Sequence, residues 1–160
     1  MTRDQLITLK AAVVADPAAN ALFVAGDMPT LTAYVNALTA TLAWRESVPA
    51  VDMIAALRFA TYDSLVAGKR DSFRLMLEYG PVDATKATIR NGLGDIFATA
   101  GTYSDAQQLP KMMAACTEKA TWAQTKFHFT TPAAVGGVTA IKRDFTSIVT
   151  IDEVSALAGV

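Results

Sequence analysis

The stretch Met28-Pro29-Thr30-Leu31-Thr32-Ala33-Tyr34-Val35-Asn36-Ala37-Leu38-Thr39-Ala40-Thr41-Leu42-Ala43-Trp44 decides how the rest of the chain is read. Leu31, Tyr34, Val35, Leu38 and Leu42 recur at intervals of three and four, which places them on one face of a helix. Taken as one amphipathic helix ending at Trp44, the run makes the protein mainly α, an Ala-rich helical bundle.

Upstream, Thr2-Arg3-Asp4-Gln5 has capping-box spacing and precedes Leu6, Leu9, Lys10, Val13 and Val14, so a helix is expected from about Arg3 to Ala15. Asp16 at the N-cap and Pro17 at the first helical position start a second, short helix through Phe23, which Gly26 closes. Downstream, Ser47-Val48-Pro49 repeats this device and launches a helix with Val51, Ile54, Leu57 and Arg58 on one side. Phe59 to Ala67 continues it or restarts after a kink, and Gly68 breaks the chain before Lys69 to Tyr79. Phe73, Met76 and Leu77 are the inner face of that segment, and Gly80-Pro81 ends it. Asp83 caps the next helix, with Ile89, Leu93, Ile96 and Phe97 inward. Gly92 and Gly94 weaken it by roughly 1 kcal/mol each, which suggests close helix contact. Ser104 to Ala115 is helical with an interruption at Pro110, and Thr117-Glu118-Lys119 begins a last helix through Trp122, Lys126 and Phe127.

The composition then changes. Thr130-Thr131-Pro132 and Gly136-Gly137 make a linker, and Val138 to Lys142 and Phe145 to Ile151 are two short β-rich runs joined by Arg143-Asp144. Thr150-Ile151-Asp152-Glu153 is another capping box, opening a terminal turn with Val154 and Leu157. The expected organisation is a helical bundle over 1–129 and a C-terminal arm over 130–160: linker, β-hairpin and helical turn. A two-stranded ribbon is marginal in water, and no other β segment is expected for it to join. It therefore either folds back on its own helices or docks on a partner. The docking alternative assigns a protein interface to Val138, Ile141, Lys142, Arg143, Phe145, Ile148, Val149 and Ile151.

At 160 residues the chain can bury roughly 68–70% of its unfolded surface and needs no metal or disulfide to fold. It is 52% hydrophobic, too apolar for disorder, and no apolar run reaches the roughly 18 residues of a membrane span. Fourteen Lys and Arg against fifteen Asp and Glu leave a net charge of −1, no excess with which to grip a phosphate backbone. The polar start, Met1-Thr2-Arg3-Asp4-Gln5, lacks the pattern of a secretory signal, so export is not expected. Thirty alanines and nineteen threonines suit closely packed helices with hydroxyl caps. Charged residues, at 18%, fall below the ~25% of ordinary domains, as expected of a tight Ala-rich monomer or of a surface that something else covers.

Reactive chemistry is sparse. Cys116 and His128 stand twelve residues apart without an acid in a motif, and as single copies they exclude an internal disulfide and a His-rich metal cage. Asn91-Gly92-Leu93-Gly94 lacks the strand, third glycine and lysine of a phosphate loop. Asp63, Asp71, Glu78, Asp83, Asp95, Asp152 and Glu153 are dispersed, so no carboxylate pair is set up locally. Lys69-Arg70 with Arg74, and Lys142-Arg143, read as solvated turns or salt-bridge partners. Trp44 belongs to the core, and Trp122 anchors either the core or a partner. No catalytic residue, cofactor or metal is expected.

Leu9-Lys10-Ala11-Ala12 with Ala15-Asp16-Pro17-Ala18, Trp44-Arg45-Glu46-Ser47-Val48-Pro49, Val82-Asp83-Ala84-Thr85 with Ile89-Arg90, Ile96-Phe97, and Ala120-Thr121-Trp122-Ala123 span most of the chain. In these passages and in its layout the chain resembles the head-tail adaptor (connector) proteins of long-tailed bacteriophages, small virion proteins with an Ala-rich helical domain and an extended C-terminal arm. The resemblance implies a non-enzymatic structural protein of the neck. It would form a homo-oligomeric ring, about twelve copies by that likeness, beneath the portal protein. The ring would meet a head-closure or tail-terminator protein and let DNA pass without sequence-specific binding. Its place would be the virion's head-tail junction, after synthesis in the bacterial host cytoplasm, with no membrane partner. Tail assembly chaperones and other small helical binding modules share part of this style and are the alternative.

Overall fold

The computed structural model describes residues 1–97, 108–129, 137–143 and 148–160. The protein is mainly α, as its patterning predicts. In chain order the elements begin α1 (Arg3–Ala15), α2 (Pro17–Val24), α3 (Met28–Val35), β1 (Leu38–Trp44), α4 (Ala50–Ala56), α5 (Phe59–Ser64) and α6 (Ala67–Glu78). They continue with α7 (Ala87–Phe97), α8 (Gln108–Ala115), β2 (Thr117–Thr121), α9 (Trp122–Lys126), β3 (His128–Phe129), β4 (Lys142–Arg143) and α10 (Ile151–Ser155), followed by a 3-10 turn, Ala156–Gly159. Strand β1 pairs with β2, and β3 with β4.

Packing divides the chain into two compact units, and the division follows contacts rather than chain order. Unit 1 is Met1–Thr41, Lys119–Thr130 and Arg143–Val160; unit 2 is Leu42–Glu118 and Thr131–Lys142. One boundary falls between Thr130 and Thr131, and the residues after it are shared between the two units.

Unit 1 is built from capped helices. Thr2 and Gln5 form the expected box on α1, the Asp16 carboxylate accepts from the Ala18 and Ala19 amides at the start of α2, and Asp27 accepts from Thr30 N at the start of α3. Gly26, with φ 71°, makes the left-handed turn between α2 and α3 that a side chain would strain. Leu9, Val13, Ala19, Leu31, Val35, Phe127, Val149, Val154 and Leu157 form the core. The Asp16 carboxylate also accepts from the Tyr34 hydroxyl and from Trp122 Nε1, each at 3.2 Å, so one side chain ties α2, α3 and α9 together.

The decisive stretch is not one helix. Helix α3 stops at Val35, and Leu38 to Trp44 is strand β1. Asn36 causes the stop: its Nδ2 donates to Thr32 O at 2.9 Å and to Val149 O at 2.7 Å, while its Oδ1 accepts from Val149 N at 2.9 Å. The amide thus ends the helix and clamps a distant backbone as a strand neighbour would. The expected last helix from Thr117 is likewise corrected: Thr117–Thr121 is the strand that β1 pairs with, and the helix starts at Trp122 behind a Thr121–Gln124 capping box. Within unit 1 the ladder includes Trp122 N to Ala37 O at 2.9 Å, and within unit 2 Arg45 N to Cys116 O at 2.9 Å, an antiparallel register.

Unit 2 packs Trp44, Phe73, Leu93, Phe97, Met112 and Met113 at its centre, with the Phe73 and Phe97 rings edge to face at 5.2 Å. Arg90 is buried in α7; its Nη1 donates to the Ala84 and Thr85 carbonyls at 2.7 Å, and its guanidinium lies over the Trp44 ring at 4.9 Å. Four local expectations are corrected here. Gly68 lies in the first turn of α6 and does not break the chain. The Asp83 carboxylate accepts from Thr85 N and Thr85 Oγ1 in a turn, and α7 begins only at Ala87. Pro110 lies within α8, which continues through it to Ala115. Gly92 does lie beside another helix, its added Cβ meeting Met76 Cε at 3.6 Å, but Gly94 faces open space. Ser104 and the linker residues over 130–136 lie outside the described residues.

The C-terminal run does find β partners in its own chain. Ile141 N donates to Leu42 O at 2.8 Å and Trp44 N donates to Ile141 O at 2.9 Å, a parallel bridge at Ala43. Strand β1 is that partner, which a helix over Leu38–Trp44 would not supply. The second expected run is not a strand where it is described: Ile148 and Val149 are irregular, and Ile151 opens α10 behind the expected Thr150–Glu153 box. Phe145 and Asp144 lie outside the described residues.

Candidate docking groove

The sequence-predicted interface residues are scattered. Ile141 and Val149 are buried, in units 2 and 1 respectively, and Val138 packs against the unit 2 core. Lys142, Ile148 and Ile151 are exposed, and Arg143 is half-buried. The N–H and C=O of Ile141 are both already bonded to β1, and those of Val149 are held by Asn36, so neither residue has a free backbone group to offer a partner strand.

A larger apolar feature lies in unit 2, between α4, α5 and α6. It is a groove of about 480 Å³ lined by Ile54, Leu57, Phe59, Tyr62, Phe73, Arg74, Leu77 and Glu78. Its shape follows from two breaks in the chain. After α4 the backbone turns extended at Leu57 and Arg58, and Gln108 makes this turn tolerable in a buried setting: Arg58 N donates to Gln108 Oε1 at 2.8 Å, and Gln108 Nε2 donates to Ala56 O at 3.0 Å. A second extended break at Leu65 and Val66 turns the chain into α6. Phe73 forms the floor, with Tyr62 tilted against it at 6.1 Å between ring centres.

Helix α4 turns part of its apolar side outward. Met53 is its buried residue, whereas Val51 is 67% exposed and Ile54 44%. Phe59, 63% exposed, continues this outward apolar surface along α5. Of the side expected to carry Val51, Ile54 and Leu57, Ile54 and Leu57 line the groove. Arg74 and Glu78 supply the rim's charges and pair with each other at 3.7 Å; Arg74 also pairs with Asp71 at 3.6 Å. These are exposed pairs of little net stability, free to exchange partners.

The groove lining holds no serine, cysteine or histidine, and among the described residues no cluster of three or more His, Cys, Asp or Glu side chains could hold a metal ion. Cys116 is fully buried in unit 2 with its Sγ 3.7 Å from Met53 Sδ, and burial pushes its thiol up to about 11 against the opposing pull of Arg45 and Arg90. It is a neutral packing group at pH 7. The His128 side chain lies outside the described residues. Arg45 pairs with Asp52 at 2.7 Å and also donates to Ala115 O, which ties α4 to α8 within unit 2.

Phe59 and Gln108 were missed in the sequence because neither belongs to a periodic stripe. The Leu57-Arg58 break contains no Gly or Pro, and its stabilising amide is fifty residues away. The available signal was the low charge content, which pointed to covered surface without locating it. No family model, curated protein or solved structure matches this chain.

Proposed function

We propose that the chain is a structural subunit that works through protein contacts: a ring-forming head-tail adaptor of a tailed phage particle, placed between the portal and the downstream neck proteins. The observation that carries the reading is the apolar groove of unit 2, whose outward Ile54 and Phe59 are unusual for a solvent-facing surface and suited to a protein neighbour. The resemblance in the sequence supplies the setting. A near-neutral net charge suits a channel wall that passes DNA without gripping it.

Immunogold labelling of purified virions tests the proposal, with a parallel blot of virions and infected-cell lysate. The expected result is label at the head-tail junction and protein in both samples. Protein present in lysate but absent from finished particles overturns the adaptor reading in favour of an assembly chaperone. Label elsewhere on the particle overturns it too.

A further inference from the structure

We propose that strand β1 stores two residues of chain in a bulge over residues 39–41 and passes them to its α3 end by sliding two residues along β2, so that the strand has two registers. This goes beyond the adaptor reading and does not depend on it.

The store shows in the strand lengths. Backbone bonds close the ribbon at its two ends, Trp122 N to Ala37 O and Arg45 N to Cys116 O, each at 2.9 Å. Between these bonds β1 runs for seven residues and β2 for five. An antiparallel pair without a bulge needs equal numbers, so β1 carries two residues more than its partner. Thr39 marks where they sit. Its Oγ1 donates to Ala120 O at 3.0 Å and accepts from Thr41 N at 3.2 Å, so the amide two residues on turns back to a side chain of its own strand.

The sequence repeats at the spacing of the store. In Leu38-Thr39-Ala40-Thr41-Leu42 a second threonine follows the first by two residues. A slide of two residues keeps every side chain on its own face of the strand, whereas a slide of one would reverse them all. It sets Thr41 opposite Ala120 with the same hydroxyl to offer, and Trp122 N then meets Thr39 O in place of Ala37 O.

The residues that move have little burial to lose. Ala37, Leu38, Ala40 and Thr41 are exposed and Thr39 is half-buried, so no core side chain changes its surroundings. The other end of β1 stays fixed, because Leu42 O accepts from Ile141 N and because Ala43 and Trp44 are fully buried. Both registers therefore keep the same core and a threonine on Ala120. The released residues, about 7 Å of extended chain, pass into the link behind Asn36. Helix α3 gains that length of slack while β1 remains paired with β2.

Nuclear Overhauser contacts between α-protons test this, because opposite residues that share no ladder bond approach most closely. In the register of the structure Leu38 lies opposite Thr121; in the shifted register Ala40 does. Thr39→Val removes the hydroxyl that holds the first register, and should replace the contact of Leu38 with Thr121 by one of Ala40 with Thr121 in most molecules. A folded Thr39→Val chain that keeps only the Leu38 contact overturns the proposal. Should that variant not fold, the wild type decides. Relaxation dispersion should then show exchange confined to the amides of residues 37–41, and Thr41→Val, at an exposed position, should abolish it by removing the hydroxyl of the second register. Dispersion that is absent, or that Thr41→Val leaves unchanged, overturns the proposal in that case. The adaptor reading is unaffected by either result, since it stands or falls on the virion labelling.

Discussion

The two units start their helices in different ways. In unit 1 a Thr or Asp side chain caps each of α1, α2, α3, α9 and α10. In unit 2, α4, α5 and α6 follow Pro49, Arg58 and Val66, and none of the three has a side-chain cap. A cap is a local device worth about 1 kcal/mol, complete within four residues. A helix without one depends on what packs against it and on any side chain that reaches its ends from elsewhere. Unit 1 therefore marks its helix starts with local caps, while unit 2 starts α4, α5 and α6 without them. The uncapped helices are also the ones that frame the groove.

The largest break in this comparison should come at Gln108. Gln108→Ala leaves the Arg58 N–H and the Ala56 C=O without their side-chain partner, and should lower stability by about 2–4 kcal/mol, read as a shift of the urea midpoint. Hydrogen exchange should rise first in α4 and α5. A loss below about 1 kcal/mol would mean that packing alone holds the break between these helices.

A smaller effect of opposite sign is expected from giving unit 2 what it lacks. Val66 is exposed and its φ −63°, ψ 150° already suit an N-cap, so Val66→Ser should stabilise α6 by about 0.5–1 kcal/mol. Thermal unfolding monitored at 222 nm would record it. A destabilised variant would show that the exposed Val66 side chain makes a contribution the cap cannot replace.

The smallest effect is one of pH, in unit 1. The Asp16 carboxyl is held below the usual carboxylate range chiefly by the Ala19 amide, against the opposing effect of burial, with Tyr34, Trp122 and Ala18 adding hydrogen bonds. A folded pKa below the unfolded one gives stability that is complete above the unfolded value. That stability is lost as pH falls through the folded value. Asn still caps a helix but does not titrate in this range, so Asp16→Asn should lose less stability than the wild type between about pH 5 and pH 3. Urea midpoints at successive pH values measure the difference, and parallel curves would remove Asp16 from the account. Glu153 titrates with the same sign, since bonds from the Met1 ammonium and Thr150 outweigh the burial that pushes its carboxyl up, so some acid sensitivity should remain.

What the residues announced by themselves was local. The limits of α1, the Asp16-Pro17 start of α2, the left-handed Gly26, the inward Phe73 and the Thr150–Glu153 box are each settled by neighbours within a turn or two. The mainly helical class followed from the same signals. Tertiary structure decided the rest. Leu38 to Trp44 has a spacing that serves a helix as well as a strand, and it became a strand because Ala37, Thr39 and Arg45 find backbone partners at Trp122, Ala120 and Cys116, more than seventy residues on. Val51, Ile54 and Leu57 mark an apolar side of α4, but periodicity identifies a face without saying which body covers it. Met53 took the interior, and Ile54 and Leu57 of the marked face line a groove. Helix caps act through neighbouring residues and survive in a linear reading; strand pairing and the choice of buried face depend on distant residues that only the folded chain brings together.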